Sequence, residues 1–394
     1  MIKFSRVPAS LFVVAATLVA QLLLVTASAQ KPTPPPVAAR SWLVLAVTGR
    51  ETLAANDPDM RVDPASLTKI MSAYLSFEAL KDGRIKASDM INPSEKAWRT
   101  PGSRMFIEPN RPVSVDDLLH GMIVQSGNDA TVALAEAVSG SEETFVEQMN
   151  KKAALFGMSN TQYRNASGLP DPNHYTTAKD LATLASRLIT DFPQFFPIYS
   201  QREFEYNKIK QPNRNRLLFT DPTVDGLKTG HTESAGFCLI ATAKRPLATP
   251  AGKAGATRRV LTVVLGTASD NARAQESQKL LNWAYQNFDT VRLLEAKAPV
   301  QTIPIFKGVR DEIETGVADD VVLTVPRGMA DKLKATVERS GQLVAPVTVG
   351  QQVGIIKVTL DGANYRDVPL VALGDVPQAG VFGRAIDTIK LWFK

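Results

Sequence analysis

The hydrophobic pattern changes twice along this chain, and the order of the patterns limits the folds that it can adopt. An apolar, strand-like run at residues 42–47 precedes a long block with helical periodicity. Two β-rich runs follow at 236–243 and 260–265, and a helical stretch over 271–288 comes after them. Strand, helices, strands and a final helix predict an α/β (α+β) domain with an antiparallel sheet over residues 41–290.

Beyond that domain the pattern is β-like throughout. Short β-like segments with turn residues between them lie at residues 302–306, 321–325, 335–338, 354–360 and 368–373. They predict a small all-β domain over residues 291–375. A chain of 394 residues is long enough for two such domains.

The N-terminus predicts export. A basic start, an apolar run at residues 11–25 and an Ala-x-Ala ending at Ala29 are typical of a secretory signal peptide. We therefore predict a signal peptide over residues 1–29 and a stiff, proline-rich linker over 30–40. A retained membrane anchor is the alternative.

The C-terminus predicts an amphipathic helix over residues 380–394. At the helical period most apolar side chains share one face, and the charged ones lie opposite. Such a helix is about 22 Å long, shorter than a hydrocarbon core of about 30 Å. It suits a membrane interface better than a membrane span. The alternative is a helix packed on its own β domain.

Composition excludes several classes of function. The formal net charge is only +6, and such a mild excess gives no reason to predict nucleic-acid binding. None of the three histidines, His120, His174 and His231, lies in a two-ligand zinc motif. The single cysteine, Cys238, lies in an apolar run and predicts a buried thiol. We predict no metal and no other cofactor.

Three short polar motifs follow one another in the first domain: Ser66-Leu67-Thr68-Lys69, Ser126-Gly127-Asn128 and Lys228-Thr229-Gly230. Together they supply a serine nucleophile, two lysines and a second hydroxyl, which are sufficient for acyl transfer without histidine. Ser28-Ala29-Gln30-Lys31 and Ser269-Asp270-Asn271 fit two of the same patterns. The first copy lies in the predicted signal peptide, and the second is predicted to cap the helix that follows it.

The spacing of the first two motifs assigns roles. Ser66 and Lys69 are one helical turn apart, so Lys69 can act as general base for Ser66 if its amine is neutral. A nearby Lys228 would favour the neutral amine by like-charge repulsion. Ser126 would hand a proton to the leaving amine, and Asn128 would hold Lys69 and the substrate amide. At a helix N-terminus, Ser66 would also face free backbone N–H groups.

The third motif is predicted to lie on an edge strand and to bind substrate. Lys228 and the Thr229 hydroxyl would bind a carboxylate, and Gly230 would let the substrate approach the backbone. The backbone N–H of His231 would complete an oxyanion hole with that of Ser66.

In these motifs the chain resembles the low-molecular-mass penicillin-binding proteins that are serine-type D-alanyl-D-alanine carboxypeptidases. The motifs lie in longer matching stretches at residues 63–71, 121–130 and 225–232, and residues 165–170 and 211–215 also match. The resemblance covers essentially the whole mature chain. It implies the penicillin-binding/β-lactamase-like transpeptidase fold with an antiparallel sheet.

The resemblance also implies a reaction. Ser66 would attack the penultimate D-Ala carbonyl of a peptidoglycan stem pentapeptide, the terminal D-Ala would leave, and water would hydrolyse the acyl-enzyme. β-Lactams would acylate the same serine. The protein would be peripheral on the periplasmic face of the inner membrane. Arg214 would steer the carboxylate, with an unpaired surface arginine as the alternative. His174 would belong to the loop below the site and form a structural hydrogen bond there, with a catalytic role as the alternative.

Three other functions stay open. A DD-endopeptidase performs the same reaction on a different acyl donor. A β-lactamase shares the motifs, but no Glu-x-x-Leu-Asn loop follows Ser126, and Gly127 replaces the usual Asp. A non-catalytic peptidoglycan-binding scaffold would not need the complete motifs.

Overall fold

The computed structural model describes residues 31–246, 257–339 and 341–380. The predicted signal peptide, and the predicted C-terminal helix from residue 381 onward, lie outside the described residues. Within those described ranges no helix is long and apolar enough to cross a membrane.

The first part of the chain forms eight α-helices and nine β-strands within the described residues. The helices are α1 (Lys69–Lys81), α2 (Glu95–Arg99), α3 (Val115–His120), α4 (Asn128–Ser139), α5 (Glu142–Leu155), α6 (Ala178–Asp191), α7 (Leu217–Thr220) and α8 (Asp270–Asn287). The strands are β1 (Ser41–Ala46), β2 (Glu51–Asn56), β3 (Met90–Ile91), β4 (Val113–Ser114), β5 (Glu203–Tyr206), β6 (Ile209–Pro212), β7 (Val224–Thr232), β8 (Gly236–Pro246) and β9 (Thr257–Thr267).

A five-stranded antiparallel sheet in the order β2-β1-β9-β8-β7 forms the centre of this domain. Side chains along β1 alternate between its two faces. Leu43 packs into the core shared with α1, α4 and α6, whereas Trp42 and Val44 pack into the core shared with α8. The sheet therefore lies between helical layers, and the predicted α/β fold with an antiparallel sheet is confirmed.

Helix α1 is buried on all sides. Ile70, Met71 and Phe77 are fully buried, so the helix passes through the centre of the helical layer. The sequence predicted that this helix begins at Ser66, which is wrong by one turn. Residues Ala65–Thr68 form a 3₁₀ turn, because Ala65 has a φ of 47° and the chain must tighten before the α-helix can begin.

The second part of the chain is built from strands. They are β10 (Phe288–Leu294), β11 (Pro299–Phe306), β12 (Glu312–Gly316), β13 (Val321–Pro326), β14 (Leu333–Glu338), β15 (Leu343–Val344), β16 (Gln352–Leu360) and β17 (Ala363–Ala372). Six of them form a sheet in the order β14-β16-β17-β12-β11-β15, and β10 pairs with β13. The predicted all-β domain is confirmed.

The two domains meet at the edge of the first sheet that is remote from β7. Arg366 on β17 donates hydrogen bonds to the Gly49 carbonyl at 2.6 Å and to the Glu51 carboxylate on β2 at 2.5 Å. Because β2 and β7 are opposite edges of one sheet, the β domain contacts the catalytic domain away from the Lys-Thr-Gly strand.

Candidate active site

The amine of Lys69 lies at the centre of the site. This side chain is 1% exposed, and its Nζ lies 2.9 Å from Ser66 Oγ, 2.7 Å from Asn128 Oδ1 and 2.6 Å from the Ser167 carbonyl oxygen. The amide and carbonyl oxygens can only accept hydrogen bonds. They can accept hydrogen bonds from the two N–H groups of a neutral Lys69 amine. The lone pair of that amine then faces Ser66 Oγ. The arrangement can therefore deprotonate Ser66.

The surroundings of Lys69 favour the neutral amine. Burial lowers the pKa of Lys69 to about 7, the positive charge of Arg214 acts in the same direction, and the negative charge of Asp129 opposes them. The like-charge repulsion between Lys69 and Lys228 that the sequence predicted is present, and it lowers the pKa of Lys228. Burial, followed by the charge of Lys69, holds the pKa of Lys228 well below its usual range. A buried lysine with a low pKa is a poor source of positive charge for its neighbour.

The second motif lies where a π-helical turn meets α4. A π-helical turn, Gly121–Gln125, follows α3, and Ser126 adopts a φ of 69° before α4 begins. Ser126 Oγ is buried, and it has no hydrogen-bond partner among the described residues. Because Ser126 and Ser66 line the same cleft, this hydroxyl is available to a substrate.

Backbone contacts fix the rest of this motif. A Cβ at Gly127 would lie 2.8 Å from Asp129 Oδ1 and 3.0 Å from the Met105 backbone nitrogen, so a side chain there would require these neighbours to shift. Asn128 Nδ2 donates to the Pro101 carbonyl at 2.6 Å, so the amide oxygen points toward Lys69.

The third motif lies on edge strand β7, as predicted. Lys228 and Thr229 are buried, and Gly230 lies so close to the serine loop that a Cβ would be 3.0 Å from the Pro64 carbonyl. The ring of His231 is exposed and stacks on Phe237, with 4.0 Å between the ring centroids. Thr229, Gly230 and His231 line one wall of a cleft of about 730 Å³ that has Ser66 and Ser126 on the opposite side.

Three arginines, Arg214, Arg216 and Arg273, line this cleft. Arg214 is exposed and lines it, and its role in steering a carboxylate stays a prediction. Arg273 also lines it, and its Nη1 donates to the Gly230 carbonyl at 3.1 Å. Sequence reasoning missed Arg273, because it interpreted the start of α8 only as a capped helix. That interpretation of Ser269 is itself confirmed, since its hydroxyl accepts from Ala272 N.

The loop at residues 165–170 supplies the third contact of Lys69. Asn165 Oδ1 accepts hydrogen bonds from the Gly168 and Leu169 nitrogens, and this turn directs the Ser167 carbonyl at the amine. Below it, His174 Nε2 lies 2.9 Å from Thr68 Oγ1. Burial lowers the pKa of His174 to about 4, so its ring is neutral at pH 7 and serves as a hydrogen-bonding group.

Gly168→Ala is expected to disturb the site through the backbone. Gly168 has a φ of +83°, and a Cβ would lie 1.8 Å from the Ala65 carbonyl oxygen, next to Ser66. We expect a loss of stability of about 1–3 kcal/mol and acylation by penicillin slowed about tenfold to a hundredfold. Thermal unfolding and penicillin-labelling kinetics measure the two effects.

Gly83→Ala is the matched control for that variant. Gly83 has a φ of +71°, and a Cβ added there would have no atom within 4 Å, so it carries the backbone strain without the collision. Equal labelling rates in the two variants would contradict the role assigned to the loop.

Fold and site together define a class. A serine–lysine pair, a second serine and a Lys-Thr-Gly edge strand that meet in one cleft are the features shared by β-lactamases and penicillin-binding proteins. Residues 27–268 match the model of the D-alanyl-D-alanine carboxypeptidase family, and residues 288–378 match the C-terminal domain of penicillin-binding protein 5. The chain belongs to the D-alanyl-D-alanine carboxypeptidase family.

Known proteins are similar to this chain over most of its length. The D-alanyl-D-alanine carboxypeptidase DacA of Haemophilus influenzae is 40% identical over 92% of this chain and 91% of its own length. The D-alanyl-D-alanine carboxypeptidase DacC of Escherichia coli is 40% identical over 91% of this chain and 89% of its own. A crystal structure of penicillin-binding protein 5 from H. influenzae, 40% identical, superposes with a TM-score of 0.82 over 88% of this chain and 100% of its own.

Proposed function

We propose that this carboxypeptidase removes the terminal D-Ala from peptidoglycan stem pentapeptides through an acyl-enzyme on Ser66. The observation that carries the proposal is the contact between a buried amine of lowered pKa, Lys69 Nζ, and Ser66 Oγ at 2.9 Å. A serine hydroxyl becomes a strong nucleophile only when a base takes its proton.

The residues of the cleft divide the acylation step among them. Lys69 takes the proton of Ser66 Oγ as that oxygen attacks the penultimate D-Ala carbonyl. The backbone N–H groups of Ser66 and His231 stabilise the oxyanion. Lys69 then gives this proton to Ser126 as the Ser126 hydroxyl donates its own to the departing nitrogen, the C–N bond breaks, and D-Ala leaves as the free amino acid, with Lys69 neutral again. Water then attacks the ester, with Lys69 again as base.

Recognition of a free carboxylate favours a carboxypeptidase over an endopeptidase. Arg214 and Arg273 both line the cleft, and Thr229 offers its hydroxyl from β7. A terminal D-Ala carries the carboxylate that such groups bind. A β-lactam carries a carboxylate beside its reactive carbonyl, so the same groups would direct it to Ser66.

Export and membrane association complete the proposal. Residues 1–29 have the pattern of a signal peptide, and residues 381–394 have that of an interfacial helix. We infer a peripheral protein on the periplasmic face of the inner membrane, where peptidoglycan is the substrate.

Removal of residues 381–394 is expected to release the mature protein from anionic lipid vesicles, because its apolar helical face supplies the membrane affinity. Release of D-Ala from a soluble peptide should be unchanged, since these residues follow the β domain. Vesicle sedimentation measures binding, and full sedimentation of the truncated protein would argue against the anchor.

D-Ala release from a diacyl-L-Lys-D-Ala-D-Ala tripeptide tests the function directly. We expect stoichiometric release of one D-Ala per peptide. Cleavage of cross-linked muropeptides without this release would indicate an endopeptidase. Rapid turnover of penicillin would indicate a β-lactamase, and no reaction with any of these compounds would indicate a scaffold.

A further inference from the structure

One end of the cleft is closed by an ion pair that the reaction does not use. Arg216 follows the loop that carries Arg214, and Asp270 begins α8. Arg216 Nε lies 2.6 Å from Asp270 Oδ2, and both residues line the cleft. Asp270 also pairs with Arg273 one turn further along α8, so it is the Arg216–Asp270 contact that links α8 to the segment before α7.

A second groove of about 670 Å³ lies beyond that pair, between α7 and α8. Arg216 lines this groove as well as the cleft. Four side-chain amides face it, those of Asn271, Gln275, Gln278 and Asn282. Amides both donate and accept hydrogen bonds, and the charges of Asp221 and Lys279, which also line the groove, are opposite, so the groove suits a polar group without net charge.

The groove lies on the side of the leaving group, and this step rests on the function proposed above. In the proposed reaction the carboxylate of the terminal residue binds Arg214 and Thr229, which line the cleft together with Ser66. Arg216 and Asp270 stand next to Arg214 at the same end of the cleft. A terminal residue with a side chain longer than a methyl group would extend toward them.

We propose that the Arg216–Asp270 ion pair is a specificity element that restricts this enzyme to small terminal residues. With the pair in place, the cleft ends just beyond the terminal carboxylate. Without the Arg216 side chain, the cleft and the amide-lined groove become continuous, and a longer D-amino acid can leave.

The ion pair is suited to a test because its removal costs little stability. The Arg216 side chain is 60% exposed and that of Asp270 36%, and ion pairs exposed to solvent contribute little to stability. A pocket wall that excludes a few atoms typically changes kcat/KM by about 10- to 200-fold.

The experiment compares two tripeptides, diacyl-L-Lys-D-Ala-D-Ala and diacyl-L-Lys-D-Ala-D-Gln, and measures by chromatography the kcat/KM for release of each terminal residue. In Arg216→Ala we expect the ratio of the D-Gln value to the D-Ala value to rise about tenfold or more. Arg216→Lys, which can still reach Asp270, should restore most of the wild-type ratio.

Arg99→Ala is the matched control, since Arg99 forms an exposed ion pair with Glu95 on α2. In this variant the ratio of the D-Gln value to the D-Ala value should equal that of the wild type. If Arg216→Ala releases D-Ala but leaves the ratio within about twofold of wild type, the specificity element is refuted while the carboxypeptidase stands. If the wild-type protein releases no D-Ala, the proposed function and this inference fall together.

Discussion

Ser66→Ala is expected to abolish covalent labelling by penicillin and to lower kcat for D-Ala release by a factor on the order of 10⁶. Ser66 Oγ is the hydroxyl that lies 2.9 Å from the buried amine of Lys69. Ser126 Oγ has no contact with that amine among the described residues, so it cannot replace the nucleophile. The fold should persist, because the substitution removes one hydroxyl from a half-buried turn. Labelling with fluorescent penicillin, followed by intact-mass measurement, gives the result.

Ser269→Ala is the matched control for that experiment. Ser269 belongs to the second copy of the Ser-x-Asn pattern, but its hydroxyl caps α8. This variant should label at the wild-type rate and lose about 1 kcal/mol of stability. A labelled Ser66→Ala protein would place the nucleophile elsewhere.

Much of the site followed from local sequence rules. The i,i+3 spacing of Ser66 and Lys69 was sufficient to predict their contact, because a helical or 3₁₀ turn places both residues on one face. Edge strand β7 and the helix cap at Ser114 were also predictable from motif and turn chemistry. The groups that interact at Ser66 and at Ser114 lie within a few residues of each other in the sequence. For β7, the Lys-Thr-Gly motif itself indicates an edge strand.

The groups that sequence reasoning missed act over long separations or through the backbone. The Ser167 carbonyl contacts Lys69 across 98 residues, and a carbonyl is present at every position, so nothing in the sequence marks this one. Arg273 reaches the Gly230 carbonyl across 43 residues from a helix assigned to packing. Strands β12 and β15 are short and gain their pairing only from neighbours in the sheet.

Lys69→Met is expected to slow acylation about 10²- to 10⁴-fold, the usual contribution of a positioned general base. Methionine keeps most of the buried volume but has no proton acceptor of comparable strength. It also leaves Asn128 Oδ1 and the Ser167 carbonyl without the amine, at a cost of about 1–3 kcal/mol. Stopped-flow labelling with penicillin and chemical unfolding separate the two losses. Acylation at the wild-type rate would exclude Lys69 as the base.

The pH dependence of acylation isolates the same amine in the unaltered protein. Since the base must be neutral and the pKa of Lys69 is about 7, the saturating acylation rate should rise through that pH and become constant above it. Arg214→Ala removes a positive charge that lowers the pKa of Lys69, so the rise should move to higher pH. At pH values below the rise, each pH unit by which the profile moves slows acylation about tenfold.

In Arg214→Ala, an effect on substrate binding can be distinguished from an effect on the pKa of the base. Loss of a carboxylate contact at Arg214 raises KM at every pH, whereas a change in the pKa of Lys69 displaces the saturating rate along the pH axis. In Arg216→Ala the rise should stay at the wild-type pH, because the charges that set the pKa of Lys69 are those of Arg214 and Asp129, not that of Arg216. An Arg214→Ala profile superimposable on that of Arg216→Ala would show that the charge of Arg214 does not act on the base.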